Sequence, residues 1–245
     1  MNNRYAILLC VAVTLISLWV PGAFAAEKMN VVVVTGGHGF EAQPFEAMFN
    51  SFDGMTCTYV ALEDHSEIFE DITNWHYDVI VLYNMSQKIS EERQQHFLQL
   101  LDKGVGLVVL HHAIAAFKDW PEYRKIIGAK YWLDDTVEDG VKHLKCQWEE
   151  GVDMPLHVED AAHPIMAGME DFVIHDETYK GYDLQPDNHL LLSCNLPGSQ
   201  KEVAWTRTYS NAKVCLIQPG HGPEAHADKH YRRIVRQAIE WVAPE

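Results

Sequence analysis

Residues 30–40, NVVVVTGGHGF, decide how this chain is read. Asn30 to Thr35 form a β-branched run without polar alternation, the pattern of a strand covered on both faces of a parallel sheet. The turn Gly36-Gly37-His38-Gly39 follows at once, and Phe45 to Phe52 then carry apolar residues at helical spacing. The same strand, turn and helix grammar extends outward. Thr56 to Leu62 and Tyr77 to Tyr83 (YDVIVLY) read as further strands. Ser90 is a good N-cap with Glu91 and Glu92 in the first turn, and its helix runs to Lys103 and stops at Gly104. Val105 to Leu110 (VGLVVL) makes a fourth strand that ends in His111-His112. Strands alternating with helices imply βαβ units and an α/β fold with a doubly wound, mainly parallel sheet.

The rest of the chain reads as an irregular β-rich insertion followed by a return to the sheet. Leu144, Cys146 and Trp148 alternate with polar residues as in a half-exposed strand, and Met154 to Glu159 is expected to pair with it. His163-Pro164 marks a turn, and Leu190 to Cys194 another short strand. Val203 to Thr208 and Lys213 to Ile217 form a hairpin around Ser210-Asn211. Asp228 caps a final helix with Tyr231, Ile234, Val235, Ala238, Trp241 and Val242 on one face. No repeat or linker divides the chain, so one domain over residues 26–245 is expected.

The first 25 residues read as a signal peptide: Arg4 precedes an apolar run from Tyr5 to Val20, and Ala23-Phe24-Ala25 is a small-x-small cleavage site. The apolar run is shorter than the roughly 20 residues a membrane span needs. The mature protein is therefore expected to start at Ala26 and to be exported, periplasmic or secreted, with no membrane attachment. Formal charge is −16 over 245 residues, and loss of Arg4 makes it −17. That field excludes nucleic acid as a general partner, because such binders carry a basic footprint. Cys57, Cys146, Cys194 and Cys215 remain after cleavage, scattered and without CxxC spacing, which leaves disulfides open.

In an open parallel sheet, ligands bind outside the carboxyl ends of the strands. The loops that meet this condition are 36–44, 84–88, 111–117 and, if the last strand runs parallel, 218–226. Three of them carry histidine: His38, the pair His111-His112, and His221 with His226. The glycine turn lacks both GxGxxG and GxxxxGK[ST], so no nucleotide is expected. His111 stands where a nucleophile elbow would be, but without Ser or Cys there, nucleophilic acyl chemistry is disfavoured. A bland alternative for both histidines is a buried ring donating to a backbone carbonyl. The segment His175 to Tyr179 packs two carboxylates, an imidazole and a phenol together, or is simply a solvated loop. His226 and His230 are placed on the exposed start of the last helix. His65, His76, His96, His143, His157 and His189 lack supporting context and read as structural or surface residues.

Four dispersed motifs, VVVVTGGHGF (31–40), GVGLVVLHHAIAAFKDWPEYRKIIGAKY (104–131), HPIMAGMEDFVIHDETY (163–179) and VAWTRTYSNAKVCLIQPGHGPEAH (203–226), resemble the trehalose-utilisation (ThuA-like) family in the same order. The resemblance implies a flavodoxin-like sheet of the class I glutamine amidotransferase type, without the amidotransferase cysteine. It also implies a role in carbohydrate metabolism, on disaccharides or their 3-keto derivatives. His112 departs from the small residue, such as serine, that the family pattern leads one to expect.

Together these readings point to a protein acting on a glycoside or 3-keto-glycoside by elimination or hydrolysis, helped by a divalent metal such as Zn²⁺. His111, Glu177 and His221 are the catalytic candidates. His38, His111 and His221 are the expected metal ligands, since neutral imidazoles suit such ions. His38, His112, Tyr179, Trp205 and Arg207 are expected to line the sugar pocket. A ketone at C3 acidifies the C2 proton, so Glu177 or His111 could remove it while His221 protonates the departing oxygen. The alternative is a non-catalytic sugar-binding protein that presents its ligand to a sugar oxidoreductase partner. A two-carboxylate hydrolase would need acids facing each other, and Asp176 and Glu177, adjacent along an extended segment, are a poor pair.

Overall fold

The computed structural model describes residues 28–63, 66–85 and 87–244. The expected signal peptide and its cleavage site, and His65, lie outside these residues. In chain order the elements begin with β1 (Met29–Gly36), α1 (Ala42–Asn50), β2 (Met55–Ala61), β3 (Val79–Asn84), α2 (Glu91–Asp102) and β4 (Gly106–Leu110). Then come α3 (Tyr123–Ile127), β5 (Ala129–Lys130), β6 (Thr136–Glu138), β7 (Val141–His143), β8 (Gln147–Val158), β9 (Phe172–Lys180) and β10 (Asp183–Leu184). The chain closes with β11 (His189–Cys194), β12 (Glu202–Tyr209), β13 (Ala212–Ile217), α4 (Pro223–Ala227) and α5 (Lys229–Val242).

Nine of these strands make one sheet in the order β2-β1-β3-β4-β13-β12-β11-β8-β9. The first five run parallel, and the last four alternate antiparallel. The protein is thus mixed α/β with one large mixed sheet, and most of the expected insertion is a continuation of that sheet. Two expectations in this region are corrected. Met154 to Val158 does not pair with the strand at Trp148: both belong to β8, which pairs with β9. The segment at His175 to Tyr179 is not a solvated loop but part of β9, exposed at His175 and buried from Asp176 to Tyr179. Extended backbone with alternate faces against packed neighbours lets its charged residues be buried where partners await them.

The parallel half forms two cores because unbranched alternation sends successive side chains to opposite faces. Val31, Val33, Val79, Val81 and Val108 meet α1 and α5 on one side; Val32, Val34, Ile80, Leu82 and Val109 meet α2 and α3 on the other. Ser90 caps α2 as expected, accepting from the Arg93 N–H. Asp228 caps α5 by accepting from the His230 and Tyr231 N–H groups at 2.8 and 2.9 Å. Such a cap contributes about 1 kcal/mol. Burial of Ile234, Val235, Ile239 and Val242 contributes about 1.5–3 kcal/mol per side chain, so packing outweighs capping in holding α5. Trp241, expected on the same buried stripe, is only half-buried at its edge. Among the described residues no helix is long and apolar enough to cross a membrane.

Five strand intervals separate β4 from β9, roughly 24 Å if the sheet were flat. Yet a side chain of β9 lies 2.9 Å from one that follows β4. The antiparallel half therefore curls over the carboxyl ends of the parallel half, closing a cavity between them.

Candidate functional site

β13 does run parallel to β4, so the loops after β1, β3, β4 and β13 all open at the same edge. His111, the first residue after β4, has φ +49°. A β-branched or bulky residue seldom adopts the left-handed region, and such strain persists where surroundings over-determine it. The kink turns the chain from strand into a short 3₁₀ helix over His111–Ala115 and aims the imidazole across the strand ends.

The bland reading of the pair holds: each ring is buried with one nitrogen against a backbone carbonyl, His111 at Gln218 and His112 at Tyr83. His111 Nδ1–H donates to the Gln218 carbonyl at 2.7 Å, which leaves Nε2 for the cavity side. Around Nε2 stand Glu177 Oε2 at 2.9 Å, the Tyr179 hydroxyl at 2.9 Å and His221 Nδ1 at 3.1 Å. The third edge, His221 Nδ1 to Glu177 Oε2, is 3.3 Å. Gln218 closes the frame by donating from its side-chain amide to the Glu177 carbonyl at 2.9 Å. Burial works to raise the Glu177 carboxyl, but the hydrogen bond and charge of His111, with His221, outweigh it and hold the group below the usual carboxylate range. Burial pushes the Tyr179 phenol well above its ordinary value, and the neighbouring Glu177 charge adds to this, so it stays protonated.

His221 is fixed by its backbone. Asp176 accepts from the Gly220 and His221 N–H groups at 2.5 and 2.9 Å. The Tyr83 hydroxyl bridges the carbonyls of the same two residues at 2.9 and 3.1 Å, and His226 Nε2 donates to the Gly220 carbonyl. Adjacent positions on β9 thus do different work: Glu177 faces the imidazoles while Asp176, on the opposite side, clamps the loop that carries one of them. The expectation that His226 lies on an exposed helix start is corrected: it is 1% exposed because it packs under this loop.

A cavity of about 400 Å³ opens above the cluster. His38, His112, Glu177, Tyr179 and His221 line it, with the apolar and aromatic side chains of Met85, Ile114, Tyr131, Leu133 and Trp148 and the charged Lys145 and Glu150. Of the expected ligand set, His111 and His221 meet but His38 does not join them. His38 stacks instead on His112, with ring centroids 4.5 Å apart, and stands 5.8 Å from His221. Glu177 takes its place in the group that could hold an ion. Trp205 and Arg207 are also corrected, since neither lines the cavity. Trp205 is buried in the second core and donates from Nε1 to the Ile127 carbonyl at 2.8 Å. Arg207 binds Asn188 Oδ1 and Asp187 Oδ2. Both sit on β12, whose amino end reaches the carboxyl edge at Val203, but Trp205 and Arg207 pair with Leu216 and Val214, back from that edge.

Tyr83, Gln218, Tyr131, Trp148 and Glu150 escape the sequence reading. The one signal for the last two is period-2 spacing, Trp148-x-Glu150 set against Glu177-x-Tyr179 across the β8–β9 pair. Many of the other histidines are ordinary: His96 pairs with a backbone carbonyl, and His157 and His189 with surface aspartates. All four described cysteines are free thiols.

Buried imidazoles around the site make stability depend on pH. Burial, with the neighbouring His111 and His38, brings the His112 imidazole down to about 2, and burial also lowers His226 and His38. The folded state keeps His112 neutral while the unfolded chain protonates it near 6.5. Its contribution is therefore complete above about pH 7 and is lost progressively as pH falls below 6.5. Between pH 7 and 5 this amounts to roughly 2 kcal/mol from His112 alone. Urea unfolding at the two pH values measures it, and His112→Gln removes that share of the slope.

Comparison with curated proteins finds no match. The profile of the family described as trehalose utilisation, ThuA, matches residues 30–242. Among solved structures, a ThuA-like protein from Parabacteroides merdae ATCC 43184 superposes with a TM-score of 0.73 at 20% identity, over 88% of this chain and 90% of that one. A second, from Bacteroides uniformis ATCC 8492, gives 0.64 at 20% identity, over 91% and 94%. A β-galactosidase from Bacillus circulans sp. alkalophilus shares the fold alone, at 9% identity and a TM-score of 0.53, over 89% of this chain and 32% of its own. With its profile spanning nearly all the described residues and its fold shared with two ThuA-like proteins, this chain belongs to the ThuA family.

Proposed function

We propose that the protein is an exported carbohydrate-active enzyme that cleaves a glycoside, as its 3-keto derivative, at a divalent-cation centre held by His111, Glu177 and His221. The observation that carries this is the triangle of 2.9, 3.1 and 3.3 Å among three ligand-type atoms, two of whose residues, Glu177 and His221, line a cavity. Atoms bound to one ion at about 2.0–2.1 Å stand roughly 2.9–3.4 Å apart. With His111 Nδ1 committed to a carbonyl, Nε2 stands 2.9 Å from the Glu177 carboxylate, a spacing that a shared proton or a shared cation bridges. Two imidazoles and a carboxylate suit Zn²⁺ or a similar ion. When bound, such an ion supplies Lewis-acid polarisation of a substrate oxygen.

The remaining work falls to the chain. His38, kept neutral by burial, is the base over the cavity that removes the C2 proton. The C2 electrons form the C1–C2 double bond as the C1–O bond breaks, and its electron pair leaves on the departing alcohol oxygen. Tyr179, held protonated, supplies the proton that oxygen takes. No oxidant, reductant or water is consumed. Tyr131 and Trp148 offer aromatic faces to the sugar ring. The strand order β2-β1-β3-β4-β13, with this site at its carboxyl edge, supports reading the parallel half as a flavodoxin-like, class I glutamine amidotransferase-type sheet.

The test incubates purified protein with a glycoside and its 3-keto form, with Zn²⁺ and with chelator. Release of the alcohol from the keto form, lost on chelation, is the expected result. No turnover of either with any divalent ion overturns the enzymatic reading, and saturable binding without product then favours a sugar-presenting protein beside an oxidoreductase.

A further inference from the structure

We propose that Glu150 is a positioning residue that acts through His221: it accepts a hydrogen bond from His221 Nε2–H and so turns Nδ1, with its lone pair, toward the Glu177 and His111 atoms. This deepens the reading of the site as a cation centre, and it starts from an irregularity in the sheet. The β8–β9 register pairs Glu149 with Thr178 and then Val152 with Asp176, so Glu150 and Gly151 together stand against Glu177. Gly151 has φ +68°, the left-handed conformation that a glycine bulge supplies. The extra residue switches the strand's faces. Trp148 and Glu150 line the cavity before it, and Met154 and Leu156 enter the core on the other side after it.

The result is a glutamate opposite a glutamate, an arrangement that destabilises a sheet unless something lies between. His221 lies between: its Nδ1 is 3.3 Å from Glu177 Oε2, and its Nε2 is 3.6 Å from Glu150 Oε1. The Glu150 side chain is 60% exposed, free to rotate the short way to hydrogen-bond distance. His111 repeats the same logic with other parts, its Nδ1–H held by the Gln218 carbonyl and its Nε2 turned to the centre. Both imidazoles thus meet an acceptor on the outer nitrogen and converge with the inner one, the pattern by which outer partners set the tautomer of ligating histidines.

The experiment uses metal-free, ¹⁵N-labelled protein as wild type, Glu150→Ala and Glu150→Gln, with the ring-nitrogen shifts of His221 as readout. Nε2 is expected to be protonated in wild type and in Glu150→Gln, whose amide oxygen still accepts, and unprotonated in Glu150→Ala, where the proton moves to Nδ1. Calorimetric titration with Zn²⁺ alone is expected to show affinity weakened about 10- to 100-fold in Glu150→Ala and largely kept in Glu150→Gln. A wild-type Nε2 without a proton, or one unchanged by Glu150→Ala, overturns the proposal. Wild type that fails to bind Zn²⁺ while Nε2 still follows Glu150 removes the cation reading and leaves the role of Glu150 standing.

Discussion

Glu177→Gln is expected to lower turnover of the 3-keto-glycoside by about 10²- to 10⁴-fold and to abolish measurable Zn²⁺ binding, with little change in the urea midpoint. The substitution keeps the shape of the side chain and the backbone bond from Gln218 but removes the charge that faces both imidazoles at 2.9 and 3.3 Å. The carboxylate is 6% exposed, so little water is available to take over its role. An amide would also aim an N–H or a weaker acceptor at the centre, where an ion of Zn²⁺ type selects imidazole and carboxylate. Calorimetry with Zn²⁺ and product analysis on one preparation separate the two effects. A variant that binds Zn²⁺ as wild type does would take Glu177 out of the ligand set.

Gly220→Ala is expected to cost about 2–5 kcal/mol of stability and to remove activity even below its unfolding temperature. Gly220 has φ +126°, and a Cβ there would lie 2.0 Å from the Tyr231 hydroxyl and 2.7 Å from its ring. Moving the loop to relieve this contact breaks its hydrogen bonds to Asp176, Tyr83 and His226 together, and with them the placement of His221. Tyr231→Phe is the useful companion. The Tyr231 hydroxyl is buried without a hydrogen-bond partner, so its removal is expected to be neutral or slightly stabilising. In the double variant it relieves only part of the loss, because the ring carbon still stands in the way. Thermal unfolding of the two single variants and the double variant measures each quantity; full recovery in the double variant would place the whole cost on the hydroxyl.

Much of the parallel half was legible from local pattern. The buried runs at Val31 to Val34 and Leu107 to Leu110, the Ser90 and Asp228 caps and the hairpin at Ser210-Asn211 all rest on short-range chemistry and stand as expected. So does the gathering of His38, His111, His112 and His221 at one edge, which follows from strand direction alone. The antiparallel half was read poorly because alternation fixes which face a residue takes, not which strand is its neighbour. Splitting β8 in two is an instance: Gly151 reverses the faces midway, and the changed period looks like a break between two strands. Trp205 and Arg207 fall outside the pocket for a related reason: the hairpin fixes the direction of β12 but not how far along it the site reaches or which face meets the second core.

By itself, then, the sequence determined the α/β grammar and the set of imidazoles at the carboxyl edge, consequences of periodicity and chain direction, and its four dispersed motifs carried the resemblance to the family. Only the tertiary structure decided that Glu177 and not His38 completes the triangle, that Asp176 and Tyr83 clamp His221, and that Glu150 stands on its outer side. The physical reason is the curl of the sheet. β9 lies five intervals from β4 along the hydrogen-bonding direction, and the accumulated twist and bending that bring it back over the site are a property of the whole sheet, carried by no single segment.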